Sequence, residues 1–153
     1  MSKKLSLVFL SALLFLCCGN SQPDMAEDIA AVVFTYQLTI QRPLRDRERL
    51  ICFVSINNQM DPSITLLAQL RKRGLEVKPT SQSLMKNGEV QDKATGASGL
   101  RLRVFDIQFT SYDNCTAKGS INSSVDDLAG WKYQLIREKG KWKVKAVELI
   151  VES

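Results

Sequence analysis

The chain has 153 residues, with 21 Lys and Arg against 16 Asp and Glu, a formal charge of +5 and no histidine. That length is enough for one domain with one core, and so mild a basic excess is no nucleic-acid signature. Without histidine there is no Ser-His-Asp or Cys-His catalysis, no imidazole acid or base and none of the usual zinc sites. The sequence also has no glycine-rich phosphate loop and no paired CxxC motif, so no cofactor and no metal are expected.

Lys3 and Lys4 precede a largely apolar stretch from Leu5 to Leu16, followed by Cys17, Cys18, Gly19 and Asn20. A basic start and a hydrophobic core of about a dozen residues fit an export signal and are too short for a permanent membrane span. Two cleavages stay open. Cutting after Gly19 releases a free protein, whereas cutting before Cys18 leaves a thiol for acylation. The run from Leu14 to Ser21 resembles a bacterial lipoprotein signal, which implies lipidation at Cys18 and a membrane tether. The expected organisation is a signal over 1–18, a polar tether over 19–24 and a single domain over 25–153, in the periplasm or on the envelope membrane. Removing Lys3 and Lys4 with the signal leaves 19 basic residues against 16 acidic, a charge of +3.

A helix is expected from Asp24, with Glu27 in capping-box spacing and Ile29, Val33, Tyr36 and Ile40 on one stripe, ending before Pro43. Arg42, Arg45, Arg47 and Arg49 follow in a loop without apolar pairing, the best sequence candidate for an anionic partner surface. Leu50 to Ile56 is apolar on both faces, as a buried strand is, and Asn57-Asn58 turns the chain. Asp61-Pro62 starts a second, shorter helix that Gly74 stops, with Ile64, Leu67 and Leu70 inward and Arg71 to Arg73 at the C-terminal end. In the undecided stretch 75–99, Leu75 to Lys78 reads as a short strand and Asp92 to Gly96 as a turn.

From Leu100 the pattern is strand throughout. Leu100, Leu102 and Val104 share one parity and Ile107 and Phe109 the other, which predicts a bulge near Phe105 and Asp106. The same slip between Trp142-Val144 and Val147-Leu149 predicts another near Lys145 and Ala146. Between them lie strands at 115–123 and 131–135, the latter joined to the last strand through Glu138 to Lys141. Lys139, Lys141, Lys143 and Lys145 alternate with apolar residues as a solvated face does. Trp131 and Trp142 are expected to pair across the last hairpin.

Helix, strand, helix and meander make an α+β class: an N-terminal helix and a second short helix packed on a curved, mainly antiparallel sheet of four to six strands. This order resembles the nuclear-transport-factor-2-like and cystatin-like folds, where a bent sheet wraps a long helix. Val33 to Gln37, Asp61-Pro62-Ser63, Asp92 to Gly96 with Gly99-Leu100, and Tyr133-Gln134-Leu135 leading to Gly140 to Val144 resemble an uncharacterised family of exported bacterial proteins. The resemblance implies the fold and the bacterial envelope, and no activity.

Cys52 and Cys115 remain after processing, and in an oxidising compartment the simplest expectation is a structural disulfide closing a loop of about sixty residues, contributing about 3–4 kcal/mol. Two separately buried thiols are the alternative. The Asn114-Cys115-Thr116 and Asn122-Ser123-Ser124 tripeptides are chance sequons. Ser124, Asp126 and Asp127 form a polar loop without calcium-loop spacing. For catalysis only carboxylate and phenol chemistry is left, and Asp106 with Tyr36 and Tyr133 are the candidates for an isomerase- or dehydratase-type site. The leading expectation is a non-enzymatic envelope domain that binds a protein partner or a small apolar ligand in the concavity between sheet and helix. The alternatives are that histidine-free enzyme and an inhibitor or immunity-like protein using Arg42 to Arg49.

Overall fold

The computed structural model describes residues 22–41, 51–126 and 128–150. The signal with Cys17 and Cys18, the arginines Arg42, Arg45, Arg47 and Arg49, and Asp127 lie outside the described residues. The elements in chain order are α1 (Gln22–Tyr36) with a π-turn (Gln37–Gln41), β1 (Ile51–Ile56), α2 (Ile64–Lys72), β2 (Val77–Pro79), β3 (Ser83–Lys86), β4 (Glu89–Asp92), β5 (Gly99–Ser111), β6 (Asn114–Asn122), β7 (Leu128–Glu138) and β8 (Lys141–Ile150). The class is α+β, with two helices on a mixed six-stranded sheet of order β2-β1-β5-β6-β7-β8 and a separate β3-β4 hairpin. The expected mainly antiparallel sheet is thus partly parallel: β1 runs parallel to both β2 and β5. Local pattern marks β1 as buried on both faces but carries no sign of its partners' direction.

On α1 the expected stripe holds at Ile29 and Val33, both fully buried, and in part at Tyr36, but Ile40 is 65% exposed. The π-turn explains this, because it takes up one residue more than an α-turn and rotates the positions after it, bringing Leu38 in and Ile40 out. Glu27 does not cap its own helix. Its carboxylate receives the Ser63 N–H at 2.9 Å and the Ser63 hydroxyl at 2.5 Å, so α1 braces the start of α2. Ser63, not Asp61, is the N-cap and accepts from Leu66 N–H at 3.1 Å. Asp61 instead accepts from Ser81 N–H at 2.9 Å. Ile64 therefore falls on the first helical turn facing solvent, and Leu66, Leu67 and Leu70 form the inward face. At the other end Arg71 donates to Val77 O and Arg73 to Thr35 Oγ1, tying α2 to β2 and to α1.

Both bulges fall where parity slips. Register jumps between Phe105 and Gln108, and Asp106 takes φ 52°, a left-handed conformation that Asp tolerates better than most residues. In the last hairpin Gln134 faces Ala146 and Leu135 faces Val144, leaving Lys145 unpaired. Each extra residue resets the apolar side chains to one face, so Leu102, Val104, Ala117, Tyr133 and Leu135 all pack under the helices. The tryptophans do not pair: Trp131 faces Leu149 and Trp142 faces Arg137. Trp142 meets Phe109 edge-on, ring centroids 5.9 Å apart, because these residues share the end of the sheet beyond the first bulge.

The expected disulfide is not formed, and Cys52 and Cys115 are separate buried thiols. Cys52 lies beside Leu100 and Cys115 beside Phe109, nine positions along β5 and on opposite sides of it. At about 3.3 Å per residue that separation far exceeds the 4.4–6.8 Å that a disulfide allows between Cα atoms. Burial pushes the Cys115 thiol up to about 11. Without reductant, neither cysteine is expected to react with iodoacetamide in the native protein, and both should gain the label in denaturant. A denatured, unreduced sample still blocked at both positions would show a bridge.

The β3-β4 hairpin lies on the sheet face opposite the helices, attached by Val90 N–H to Ser123 O and Val125 N–H to Gly88 O. Phe53 and Val90 are fully buried yet outside the helix-side core, which marks a second small core beneath this hairpin. Its latch is Asp92, whose carboxylate accepts from Lys78 Nζ at 2.6 Å and from Ala94 and Thr95 N–H at 2.8 and 3.0 Å. The Lys78 hydrogen bond foremost, with the two backbone donors, holds the Asp92 carboxyl down at about 2. Since an unfolded Asp titrates near 3.9, this stabilisation is present above about pH 4 and lost as pH falls towards 2. Urea unfolding across that window should show a steeper loss of stability in wild type than in Asp92→Asn; parallel profiles would contradict the latch.

Candidate functional site

β5 alternates Leu100, Leu102 and Val104 on the helix side with Arg101, Arg103 and Phe105 on the other. Pairing sets a Ser55–Arg103–Ser120 row across β1, β5 and β6, next to a Phe53–Arg101–Asn122–Leu128 row. With Gln59 and Thr80 at the rim, these rows, Phe53 excepted, line a cleft of about 190 Å³ beside the hairpin. Ser55 and Ser120 are 4% and 7% exposed, so the floor is polar although it is buried.

Both guanidiniums are aimed through their Nε. Arg101 Nε donates to Ser83 Oγ at 2.9 Å, and Arg103 Nε donates to Asn57 O at 3.1 Å. Asn57 can hold that carbonyl in place because it adopts φ 53° in the turn after β1, a conformation Asn accepts readily. The Arg103 guanidinium also stacks on Phe105 at 4.2 Å. Among the described residues neither arginine has a carboxylate partner, and no acidic residue lines the cleft. Two fixed cations, each with its terminal NH2 groups uncommitted among the described residues, face two hydroxyls and an amide. That arrangement suits an anion with several oxygens.

Of the sequence candidates, Tyr36 and Tyr133 converge and Asp106 does not join them. The two rings meet edge-on at 6.1 Å on the helix side, where Tyr133 is fully buried and donates to Gln41 Oε1 at 2.6 Å. Burial pushes the Tyr133 hydroxyl well above its ordinary pKa, so it stays a neutral donor. Asp106 is on the opposite face, in an ion pair with Lys118 at 3.0 Å and accepting from Gln108 at 2.6 Å. Chiefly through Lys118, its pKa lies below the ordinary value, which leaves an ionised, half-exposed carboxylate poorly suited to act as a base beside a carbonyl.

Gln37 lies under the π-turn, fully buried, and neither its Nε2 nor its Oε1 makes a hydrogen bond among the described residues. It occupies the space above Gly119, where a Cβ would come within 2.6 Å of Nε2 and 3.0 Å of Tyr133 Cε2. The concavity expected to hold an apolar ligand is therefore filled at its centre by Phe34, Gln37 and Tyr133. Among the described residues that side also carries a broad groove of about 350 Å³ between α1 and β8, with Val32, Tyr36, Trp142 and Val144 as its apolar wall, and a neighbouring one of about 320 Å³ between Asp28, Gln69, Arg73 and Lys141. Among the described residues no group of acidic and cysteine side chains could hold a metal ion, and no helix is long and apolar enough to cross a membrane.

Comparison with protein-family models, with curated proteins and with solved structures gives no match. The arginine cleft thus rests on its own geometry. Sequence reasoning passes over Arg101 and Arg103 because alternating Arg on a strand reads as a solvated face. Only the flanking Ser55 and Ser120, one strand away on each side, distinguish them, and pairing decides that. Gly119→Ala is expected to lower stability by about 1–3 kcal/mol through overpacking against Gln37 and Tyr133; urea unfolding at neutral pH with no change in midpoint would mean that the amide does not occupy that space.

Proposed function

We propose that this chain is a non-enzymatic binding domain of the bacterial cell envelope, exported by its N-terminal signal and held by a lipid at Cys18. In this reading it grips the anionic group of a ligand or partner in the Arg101–Arg103 cleft. The observation that carries the reading is the pair of oriented guanidiniums with no carboxylate to neutralise them among the described residues, set over buried hydroxyls. Leaving two cations partly desolvated costs stability that a purely structural face would avoid, and a bound anion offsets that cost. A nuclear-transport-factor-2-like or cystatin-like assignment is supported by the two bulges that bend the sheet and by α1 packing across β5 and β8. The filled helix-side concavity weighs against an apolar ligand there, and the separation of Asp106 from Tyr133 weighs against the isomerase-type enzyme.

Titration of 15N-labelled protein with sodium acetate and then sodium sulfate, at constant ionic strength, tests the binding reading. The side-chain Nε–H signals of Arg101 and Arg103 and the amides of Ser55 and Ser120 should move together and saturate. Uniform drift, or no movement at these four residues with either anion, would sink it.

A further inference from the structure

Resting on that anion-binding reading, we infer that the group this cleft takes is a phosphate monoester in its dianionic form. Charge gives the first argument. Arg101 and Arg103 present two positive charges on one strand face with none opposed among the described residues, whereas a carboxylate brings one negative charge and a phosphate monoester brings about −1.5 to −2 at neutral pH. A monocarboxylate would leave one guanidinium unmatched in a half-buried site.

Donor geometry gives the second argument. A carboxylate is planar, and one guanidinium fork satisfies both of its oxygens. Here the donors come from several directions: Arg103 and Arg101 from β5, Ser55 from β1, Ser120 and Asn122 from β6, and Thr80 from the turn before β3. Because each arginine spends Nε on the protein, at Ser83 and at Asn57, each offers its terminal nitrogens and not a side-on fork. Separate donors converging from three strands and a turn suit the several oxygens of a tetrahedral phosphoryl group better than the two coplanar oxygens of a carboxylate. Size agrees: about 190 Å³ admits a phosphoryl group and the first atoms of what it is esterified to, and leaves the remainder of the ligand outside. Leu128, 49% exposed at the mouth, gives that remainder an apolar edge to lie against.

The absence of histidine makes the idea unusually easy to test. Between pH 5 and 7.5 no side chain of ordinary pKa in this chain has its titration midpoint, while the second ionisation of a phosphate monoester falls near 6. A change of affinity across that interval therefore reports on the probe and not on the cleft. Propyl phosphate and butyrate are titrated into the purified protein at pH 7.5 and pH 5.0, with NMR shifts at Ser55, Arg101, Arg103 and Ser120 as readout. Propyl phosphate is expected to saturate these signals at pH 7.5, to bind several-fold more weakly at pH 5.0, and to lose roughly 10- to 100-fold in affinity in Arg103→Gln, the scale of a charged hydrogen bond. Arg103→Lys keeps the charge without the planar group and serves where Arg103→Gln fails to fold; it should remain folded, with the wild-type amide dispersion, and bind more weakly than wild type.

Butyrate saturating the same residues as tightly as propyl phosphate at pH 7.5, and weakening at pH 5.0 by no more than its own partial protonation produces, would overturn the phosphate inference and leave the anion-binding reading intact. Silence from both probes, together with acetate and sulfate, would remove both. Co-sedimentation with phosphatidic acid vesicles, in the presence and absence of propyl phosphate, separates the two sources of such a group: retention on vesicles that propyl phosphate displaces marks a lipid headgroup, and no retention marks a soluble ester.

Discussion

Strand β1 is hydrogen-bonded on both edges and buried on both faces, and most of the structure follows from accommodating it. Its pairing with β2 and β5 is parallel, so the chain has to cross back between these strands instead of turning tightly. One crossing is α2, which covers the Cys52, Val54 and Ile56 side together with α1. The other passes through the β3-β4 hairpin, which covers the Phe53 side. A six-residue strand with five buried residues thus requires cover in two layers, and the second layer creates the wall beside which Arg101 and Arg103 stand.

The polar groups divide by whether the fold satisfies them internally. Lys78 and Asp92 meet in a nearly closed ion pair that latches the hairpin, and Lys118 and Asp106 meet at the first bulge. These pairs need nothing from outside. Arg101 and Arg103 differ because the protein uses one nitrogen of each to orient it and leaves the charge unopposed among the described residues. Orientation without neutralisation is what a preorganised binding group requires, since the side chain is already ordered when the anion arrives.

The helix side shows a different compromise. The π-turn at Gln37–Gln41 brings one amide to Tyr133 and buries another, Gln37, without a partner among the described residues. Gly119 is the concession on the sheet that makes room for it. The same turn explains why a helical stripe that holds at Ile29 and Val33 fails at Ile40.

Periodicity by itself determined the α+β class, the double burial of β1, the second helix and both bulges, because each is a local pattern of apolar residues along one segment. Its failures share a cause. Ile64 and Glu27 were misassigned because Ser63 caps α2 with help from the other helix, and the Cys52–Cys115 bridge failed because the two cysteines lie towards opposite ends of β5 and on opposite sides of it. The β3-β4 hairpin was not legible, since short strands with mixed burial carry little period. The cleft was decided only by tertiary structure. Arg101, Ser55 and Ser120 are unremarkable within their own segments, and it is hydrogen-bonded register across β1, β5 and β6 that sets two charges between two hydroxyls. Sequence records which face a side chain takes along its own strand; which side chains stand next to it depends on the pairing of strands distant in the chain.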